Sequence, residues 1–181
     1  MATDIDTYCG IYCGACSILR YGKTGHGDEY IACCGNIPRA ELNCSGCKSE
    51  NVYAGCRLCM FRDCNKSKGI EHCIECIDYP CKKYKKWLSA ARLLPHVSES
   101  SANLETIKRE GLDAWIKAQE ERWSCPHCGT MFSWYASECS NCGYSLKTRS
   151  YSMSGFRKIL CRLLIPLIYK KAKNKNPQGK H

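Results

Sequence analysis

Two Cys-x-x-Cys-Gly units in residues 123–144, WSCPHCGTMFSWYASECSNCGY, have the spacing of metal ligands. Each unit places two sulfurs on one tight turn, and four thiolates can surround a single tetrahedral ion. The alternative is a disulfide pair or a redox-active cysteine pair, which two matched units disfavour. We therefore predict a zinc ribbon over residues 123–146 with a closed, structural site. Its ligands are Cys125, Cys128, Cys139 and Cys142.

The first 81 residues contain thirteen of the eighteen cysteines, and most of these fall into short repeated spacings. Two Cys-x2-Cys-x4-Cys units are offset by seventeen residues, which indicates two related metal-binding turns. A Cys-x3-Cys-x2-Cys unit and a further Cys-x-x-Cys pair precede them. The predicted metal ligands in this half are Cys9, Cys13, Cys16, Cys44, Cys47, Cys56, Cys59, Cys64, Cys73, Cys76 and Cys81.

The spacing leaves the metal in residues 9–81 open between zinc, which we favour, and an iron–sulfur cluster, because Cys-x2-Cys turns suit both. Neither repeat has the Cys-x2-Cys-x2-Cys-x3-Cys-Pro run of bacterial ferredoxins. Disulfides are the third alternative, but the N-terminal sequence lacks the features of a secretory signal, so we expect a reducing, cytoplasmic setting. His72 adjoins Cys73, and we expect it to be solvent-exposed rather than a ligand.

An enzyme is the less favoured interpretation. The Cys9-x3-Cys13-x2-Cys16 spacing also matches radical S-adenosylmethionine enzymes, which resemble a partial barrel of alternating strands and helices. A full barrel takes about 250 residues, and fewer than 125 precede the predicted ribbon here. Ala15 stands where those enzymes usually have an aromatic residue. No serine–histidine–acid set, phosphate-binding glycine loop or dinucleotide motif is evident in the sequence.

Several of these motifs, in this order, closely resemble a prokaryotic family of unknown function, domain-of-unknown-function family 3795, in its version with a C-terminal zinc ribbon. The resemblance covers about residues 5–146. It is carried by YCGIYCGAC, NCSGCKS, GCRLCMFRDC, GIEHCIECIDYPCKKY and NLETIKREGLDAWIKAQEERWSCPHCG. It implies metal binding without an established activity, and its motif positions coincide with the eleven N-terminal cysteines given above. Cys33, Cys34 and Cys161 lie outside the family pattern.

Helical segments must position these cysteines. Tyr84, Trp87, Leu88 and Ala91 form one apolar stripe, and the lysines of residues 82–86 lie mostly on other faces, where we expect solvent. A second helix is predicted from about residue 102 to residue 123, weakened by Gly111. Trp87, Trp115 and Trp123 are predicted core residues.

The predicted fold is a small, cysteine-rich, metal-stabilised α+β protein. Its segments are a cysteine-rich metal-binding domain with a following helix (1–94), a helical connector (95–122), the zinc ribbon (123–146) and a basic amphipathic tail (147–181). With so many residues bound to ions, we expect much of the stability to come from metal.

The tail carries the whole net charge of +10, because residues 147–181 contain ten Lys and Arg and no acidic residue. Its apolar run, residues 156–169, is shorter than the roughly 20 residues of a membrane-spanning helix. Residues 156–175 either lie on an anionic membrane surface or dock on the protein body. We accordingly expect a cytoplasmic protein, peripheral to the inner face of the membrane if the first alternative holds.

These observations favour a metal-binding structural or interaction module with an unknown protein partner. An iron–sulfur redox or electron-transfer protein is the first alternative. Nucleic-acid binding is the second, and it is weaker because residues 124–146 contain one Glu and no Lys or Arg.

Overall fold

The computed structural model describes residues 5–175, so the extreme ends of the predicted first domain and of the tail lie outside the described residues. The chain is mainly helical, with seven α-helices in the described part. They are α1 (Ser17–Thr24), α2 (Ala54–Arg57), α3 (Met60–Lys68), α4 (Lys82–Leu88), α5 (Ser100–Glu110), α6 (Leu112–Arg122) and α7 (Gly155–Lys175). Short 3-10 turns, among them Cys13–Ala15 and Cys73–Glu75, connect several of them.

Extended structure is nearly absent between residues 5 and 175. It is limited to two isolated antiparallel bridges, Ser124 with Met131 and Glu138 with Ser145, and no longer strand forms there. The prediction of a cysteine-rich protein with helical segments is confirmed. The predicted β component is corrected to these two bridges, because each knuckle is too short to extend a ladder beyond one residue pair.

Gly111 divides the predicted helix of residues 102–123 into α5 and α6. Its backbone has φ +89° and ψ 162°, a conformation that is accessible to glycine and strained for other residues. The single-helix prediction is therefore wrong at this point, although both halves are helical. Asn103, Leu104 and Ile107 of α5 are buried, and so are Trp115 and Ile116 of α6, so the apolar faces of both halves point to the core.

The core is built around aromatic pairs that join distant segments. Tyr12 meets Trp115 edge-on with ring centroids 5.7 Å apart, and Phe61 meets Trp87 at 5.1 Å. Trp115 and Trp123 are fully buried, whereas Trp87 is half-buried. In α4, Tyr84 is buried and the four lysines are exposed, as the apolar stripe predicts. One continuous core therefore includes the cysteine-rich half, α5, α6 and residues 123–146.

The tail helix α7 docks along one face and leaves the other exposed. Cys161, Ile165, Tyr169 and Ala172 are buried against the body. Lys158 pairs with Glu29 at 2.8 Å, and Lys173 pairs with Glu41 at 2.6 Å. Among residues 5–175, no helix combines the length and apolar character that crossing a membrane requires.

Candidate metal centre

The four cysteines of the knuckle unit (residues 123–146) come together around one point. All four sulfurs lie within 4.8 Å of one another. The shortest distances join the two halves, with Cys125 Sγ 3.7 Å from Cys142 Sγ and Cys128 Sγ 3.6 Å from Cys139 Sγ. Within residues 5–175, no other group of three or more Cys, His, Asp or Glu residues has ligand atoms that all lie within 4.8 Å of one another.

Both knuckles use the same backbone pattern. Gly129 N–H donates to the Cys125 carbonyl at 2.8 Å, and Gly143 N–H donates to the Cys139 carbonyl at 3.0 Å. Each glycine has positive φ, 71° and 70°, so the chain can reverse directly after the second cysteine of each pair. The N–H of Cys125 then bonds the Thr130 carbonyl, which closes the turn. This repeated turn explains why two cysteines separated by two residues point to the same place.

The sulfur arrangement fits a single ion bound by four thiolates. Metal–sulfur bonds of about 2.3 Å, as for zinc, place the sulfurs on a tetrahedron with edges of about 3.8 Å. The two measured distances of 3.6 and 3.7 Å match those edges. Four sulfurs can fill a tetrahedral shell around one ion, which would leave no position for water or substrate.

The electrostatics of the knuckle sulfurs are uneven. Hydrogen bonds with Thr130, first its hydroxyl and then its N–H, lower the pKa of Cys128 to about 5. The N–H of Tyr144 acts to lower the pKa of Cys142, but desolvation and the other three thiols outweigh it and raise the pKa to about 12. Cys125 and Cys139 are buried. Because a bound cation needs all four thiolates, metal binding at this site releases protons.

The knuckle unit is anchored to the rest of the protein. Trp123, Phe132 and Leu146 are buried, and Trp123 packs edge-on against Phe132 at 5.6 Å. Trp134 N–H donates to the carbonyl of Ala15, between two predicted N-terminal ligands, at 2.9 Å. This backbone hydrogen bond joins the knuckle unit to the segment that carries Cys13 and Cys16.

Seven predicted ligands form a second region, the N-terminal thiol group. They are Cys9, Cys13, Cys16, Cys44, Cys47, Cys56 and Cys59. Burial, followed by the negative charges of neighbouring thiolates, raises the pKa of Cys13 and Cys56 well above the usual value. For Cys13 these neighbours are Cys16, Cys47, Cys56 and Cys44. The seven thiols thus lie near one another, and joint ionisation is unfavourable unless a cation offsets their charge.

The remaining predicted ligands line a cavity of about 480 Å³, which we call the four-cysteine cavity. They are Cys64, Cys73, Cys76 and Cys81. Cys64 lies inside α3, Cys73 begins a 3-10 turn, and Cys81 directly precedes α4. The first Cys-x2-Cys-x4-Cys unit is therefore divided. Cys56 lies with the N-terminal thiol group, Cys64 lines the cavity with the second unit, and Cys59 lies near both, since its thiol neighbours Cys56 and also Cys73.

Two polar side chains that the cysteine spacing did not indicate contact sulfurs in this cavity. Asn65 Nδ2 donates to Cys73 Sγ at 3.3 Å, and Lys68 Nζ donates to Cys76 Sγ at 2.9 Å. Lys68 also pairs with Asp78 at 3.0 Å. Both donors lie on α3 about one turn or less from Cys64. Their position beside a predicted ligand on one helix was the feature of the sequence that could have indicated them.

A buried charge network holds Asp6 against His72, the residue next to Cys73. The expectation that His72 is exposed to solvent is wrong, since only 5% of its surface is exposed. His72 Nε2 lies 2.9 Å from Asp6, and Lys48 Nζ pairs with the other Asp6 oxygen at 2.5 Å. Burial opposes ionisation of Asp6, but hydrogen bonds from His72 and Lys48 outweigh it and lower its pKa. His72 thus holds Asp6 rather than a metal.

The three cysteines outside the family pattern pack where α7 meets the body. Cys33, Cys34 and Cys161 are at most 1% exposed. The thiol of Cys33 donates to the carbonyl of Glu29 at 3.2 Å, and Cys34 bonds the carbonyl of Tyr30. These thiols behave as small apolar core residues with weak hydrogen bonds.

The helical fold, the eighteen cysteines and the assembled four-sulfur set define a cysteine-rich protein with a candidate metal centre. Residues 5–86 match the model of a family described as "Protein of unknown function (DUF3795)". The family resemblance is thereby confirmed for this segment, which includes all eleven N-terminal motif cysteines and ends before the knuckle unit. Neither the curated proteins nor the solved structures include a significant match to the chain.

Proposed function

We propose that this chain is a metal-binding protein whose knuckle unit is a zinc ribbon, with one zinc ion held by Cys125, Cys128, Cys139 and Cys142. The observation that carries the proposal is the agreement of two inter-knuckle sulfur distances, 3.6 and 3.7 Å, with a tetrahedron of thiolates. When bound, zinc supplies cross-linking rather than catalysis, because four sulfurs complete its shell. Residues 123–146 then serve as a scaffold for the segments packed on them.

Single iron fits the same four sulfurs, so the test must identify the metal. We would measure zinc and iron by mass spectrometry on protein purified without oxygen and without chelators, in the wild type and in Cys142→Ser. Cys161→Ser is the matched control, since it removes a buried thiol that is not among the predicted metal ligands. The proposal predicts that Cys142→Ser loses about one zinc ion per chain and the control loses none. Loss of iron instead, or no loss, would refute the zinc assignment.

We further propose that α7 binds an anionic membrane surface while docked on the protein body. Its outward face carries a continuous run of apolar side chains. Phe156, Ile159, Leu163 and Leu167 are 60–70% exposed, and Leu164 and Ile168 are 40% and 49% exposed. Exposed basic residues flank this stripe, namely Arg162, Lys170 and Lys171. A helix with an apolar face and basic flanks fits the interface of an anionic bilayer.

Vesicle co-sedimentation tests this surface without touching the docked face. Ile159→Glu combined with Leu163→Glu should reduce binding to vesicles containing anionic lipid at least about tenfold, since each charge must enter the apolar interface. Ile77→Glu is the matched control, because Ile77 is 97% exposed but far from α7 in sequence. Binding should also weaken in high salt and with neutral vesicles. Equal binding by all variants would refute the membrane surface.

Nucleic-acid binding is a weaker proposal, favoured by the basic tail alone. Phosphate contacts need several Lys or Arg side chains on one surface. The knuckle unit offers none between residues 124 and 146, and two of the tail lysines, Lys158 and Lys173, are already paired with Glu29 and Glu41. A salt-sensitive mobility shift with RNA or DNA that Arg162→Gln/Lys170→Gln reduces, together with no binding to anionic vesicles, would favour this alternative over the membrane.

A further inference from the structure

We propose that the four-cysteine cavity binds a [4Fe–4S] cluster through Cys64, Cys73, Cys76 and Cys81. This site is separate from the proposed zinc ribbon and from the membrane surface, and it does not depend on either. The evidence comes from the spacing of the sulfurs, the volume between them, the donors that contact them and the division of the cysteine repeats.

The sulfur spacing distinguishes this site from a mononuclear one. A single tetrahedral ion draws its sulfurs to about 3.8 Å from one another, as in the knuckle unit. Between residues 5 and 175, no three sulfurs outside the knuckle unit lie within 4.8 Å of one another. A four-iron cluster needs wider spacing, because each cysteine binds a different iron at a different corner. The four cavity cysteines thus line one shared space, and no three of their sulfurs converge to within 4.8 Å.

The cavity has the size of a cofactor site. The cavity measures about 480 Å³, within the roughly 300–1,000 Å³ typical of small-molecule and cofactor sites. Phe61, Ile70, Tyr79 and Tyr84 supply apolar walls beside the four cysteines. Phe61 and Tyr84 are almost fully buried and pack edge-on at 5.8 Å, which gives the cavity a rigid floor. A bound cluster would be shielded on this side from solvent.

Hydrogen-bond donors and positive charge are placed for a thiolate-bound cluster. Asn65 and Lys68 donate to the sulfurs of Cys73 and Cys76, and hydrogen bonds to sulfur tune the potentials of such clusters. Lys68, Lys82 and Lys83 line the cavity, where Asp78 is the one lining acid. A [4Fe–4S]²⁺ cluster with four thiolates carries a net negative charge, which these lysines offset.

The division of the repeats also matches cluster ligation. Cys64 is the third cysteine of the first Cys-x2-Cys-x4-Cys unit, yet it lines the cavity with all three cysteines of the second unit. In two-cluster ferredoxins the last cysteine of a motif likewise binds the cluster of the other motif. The second unit supplies three ligands, and Cys64 of the first unit supplies the fourth.

Cysteine variants of the full chain test the ligand set. Protein would be purified without oxygen, incubated with ferrous iron and sulfide, and assayed for iron, acid-labile sulfide, zinc and visible absorption. Cys76→Ser and Cys81→Ser should each lose about four iron and about four sulfide per chain relative to wild type. Cys161→Ser is the control and should lose none. Far-ultraviolet circular dichroism equal to that of the wild type would show that all three variants are folded, and zinc in the knuckle unit is counted in the same samples.

Two outcomes would overturn the proposal. One is that Cys81→Ser retains the iron and sulfide of the wild type. The other is that it loses about one zinc ion, which would make the cavity a mononuclear site. Because zinc in the knuckle unit is counted in the same samples and removed by a different variant, failure of the zinc ribbon proposal would be recognised separately.

A positioning residue gives a second test that does not require a cysteine change. Lys68→Met should retain iron but shift the midpoint potential to more negative values, because it removes a donor that stabilises the reduced, more negative cluster. Lys66→Met is the matched control, since Lys66 is exposed on the same helix α3. An unchanged potential in Lys68→Met, measured by dye-mediated titration, would contradict a cluster at Cys76.

Discussion

The knuckle unit and the four-cysteine cavity use the same number of cysteines over the same length of chain with opposite results. Cys125 and Cys142 are seventeen residues apart, and so are Cys64 and Cys81. In the knuckle unit the four sulfurs lie within 4.8 Å of one another. In the cavity they are four of the residues that line a space of about 480 Å³. Ligand count and span therefore do not decide how closely the sulfurs of a cysteine cluster converge.

The local backbone explains the difference. Each knuckle reverses at a glycine with positive φ directly after its second cysteine, so both sulfurs turn toward one point. In the cavity, Cys64 is fixed inside α3 and Cys81 directly precedes α4. Cys73 and Cys76 lie at a 3-10 turn between them, so the cavity cysteines come from three separate elements. In the knuckle unit, by contrast, two matched turns supply all four sulfurs.

The largest expected effect is loss of the knuckle metal. Cys139→Ser removes a buried ligand and should unfold residues 123–146, because structural zinc contributes an apparent binding free energy of about 10–16 kcal/mol. Hydrogen exchange should show lost protection of the Trp123 and Phe132 amides, with metal in residues 9–81 nearly unchanged. Simultaneous loss of all metal would instead show that the two regions form one cooperative unit.

Substitution of two buried phenylalanines, one beside each site, should have intermediate effects on stability. Phe61 lies beside the cavity at 3% exposure, and Phe132 lies beneath the knuckles at 4% exposure. Each change to alanine should lower the free energy of unfolding by about 3–5 kcal/mol, measured by denaturant titration. The account predicts that Phe61→Ala also weakens iron retention, whereas Phe132→Ala does not. Identical metal losses in both variants would argue against two separate sites.

The pH dependence of stability tests how the knuckle unit is held on the body. His96 stacks on Trp134 at 3.8 Å and bonds the Tyr135 hydroxyl at 2.7 Å. Burial lowers the pKa of His96 from 6.5 to about 3. The unfolded state therefore takes up a proton that the folded state does not, and stability is full above pH 6.5. Below that value it should fall by about 1.4 kcal/mol per pH unit until the folded-state pKa is reached.

Denaturant unfolding between about pH 7 and about pH 4.5 measures this slope. His96→Phe preserves an aromatic ring for Trp134 but cannot take up a proton, so the variant should lose this part of the slope. If wild type and variant lose stability in parallel, protonation of the metal-binding thiolates accounts for the acid sensitivity, and the prediction for His96 is wrong.

The smallest expected effect is strain at a knuckle turn. Gly143 has φ +70° with no atom within 4 Å of an added Cβ, so Gly143→Ala introduces backbone strain without a clash. It should lower the free energy of unfolding by about 1–2 kcal/mol while the metal stays bound. Gly155→Ala is the control, because Gly155 starts α7 and also has free space around its Cα. A larger loss than in Cys139→Ser would contradict a turn stabilised mainly by metal.

The parts of the fold that depend on local sequence could be predicted. The knuckle ligands converge through contacts within eighteen residues, and the stripe of α4 follows from helical periodicity. Gly111 weakened the helix prediction, but only the structure shows that it divides the helix. The α+β prediction overestimated the β-structure, because a Cys-x-x-Cys turn does not itself specify how far the flanking strands extend.

The parts that depend on distant contacts could not be predicted. Asp6 reaches His72 across 66 residues, and neither residue has a spacing that reveals the pair. The association of Cys64 with the second cysteine unit likewise follows from the packing of α3 against α4, with Phe61 meeting Tyr84 and Trp87. The sequence left open whether the tail docks on the protein body or lies on a membrane. Burial of Cys161 and Ile165 shows that one face docks on the body, whereas an apolar pattern alone does not reveal which surface it contacts.

The most direct test of the central claim, that the chain contains two different kinds of metal site, is a metal and sulfide inventory of three proteins prepared without oxygen. These are the wild type, Cys142→Ser and Cys81→Ser. The account predicts that Cys142→Ser loses zinc and retains iron and sulfide, whereas Cys81→Ser loses iron and sulfide and retains zinc. Loss of the same metal from both variants would contradict it.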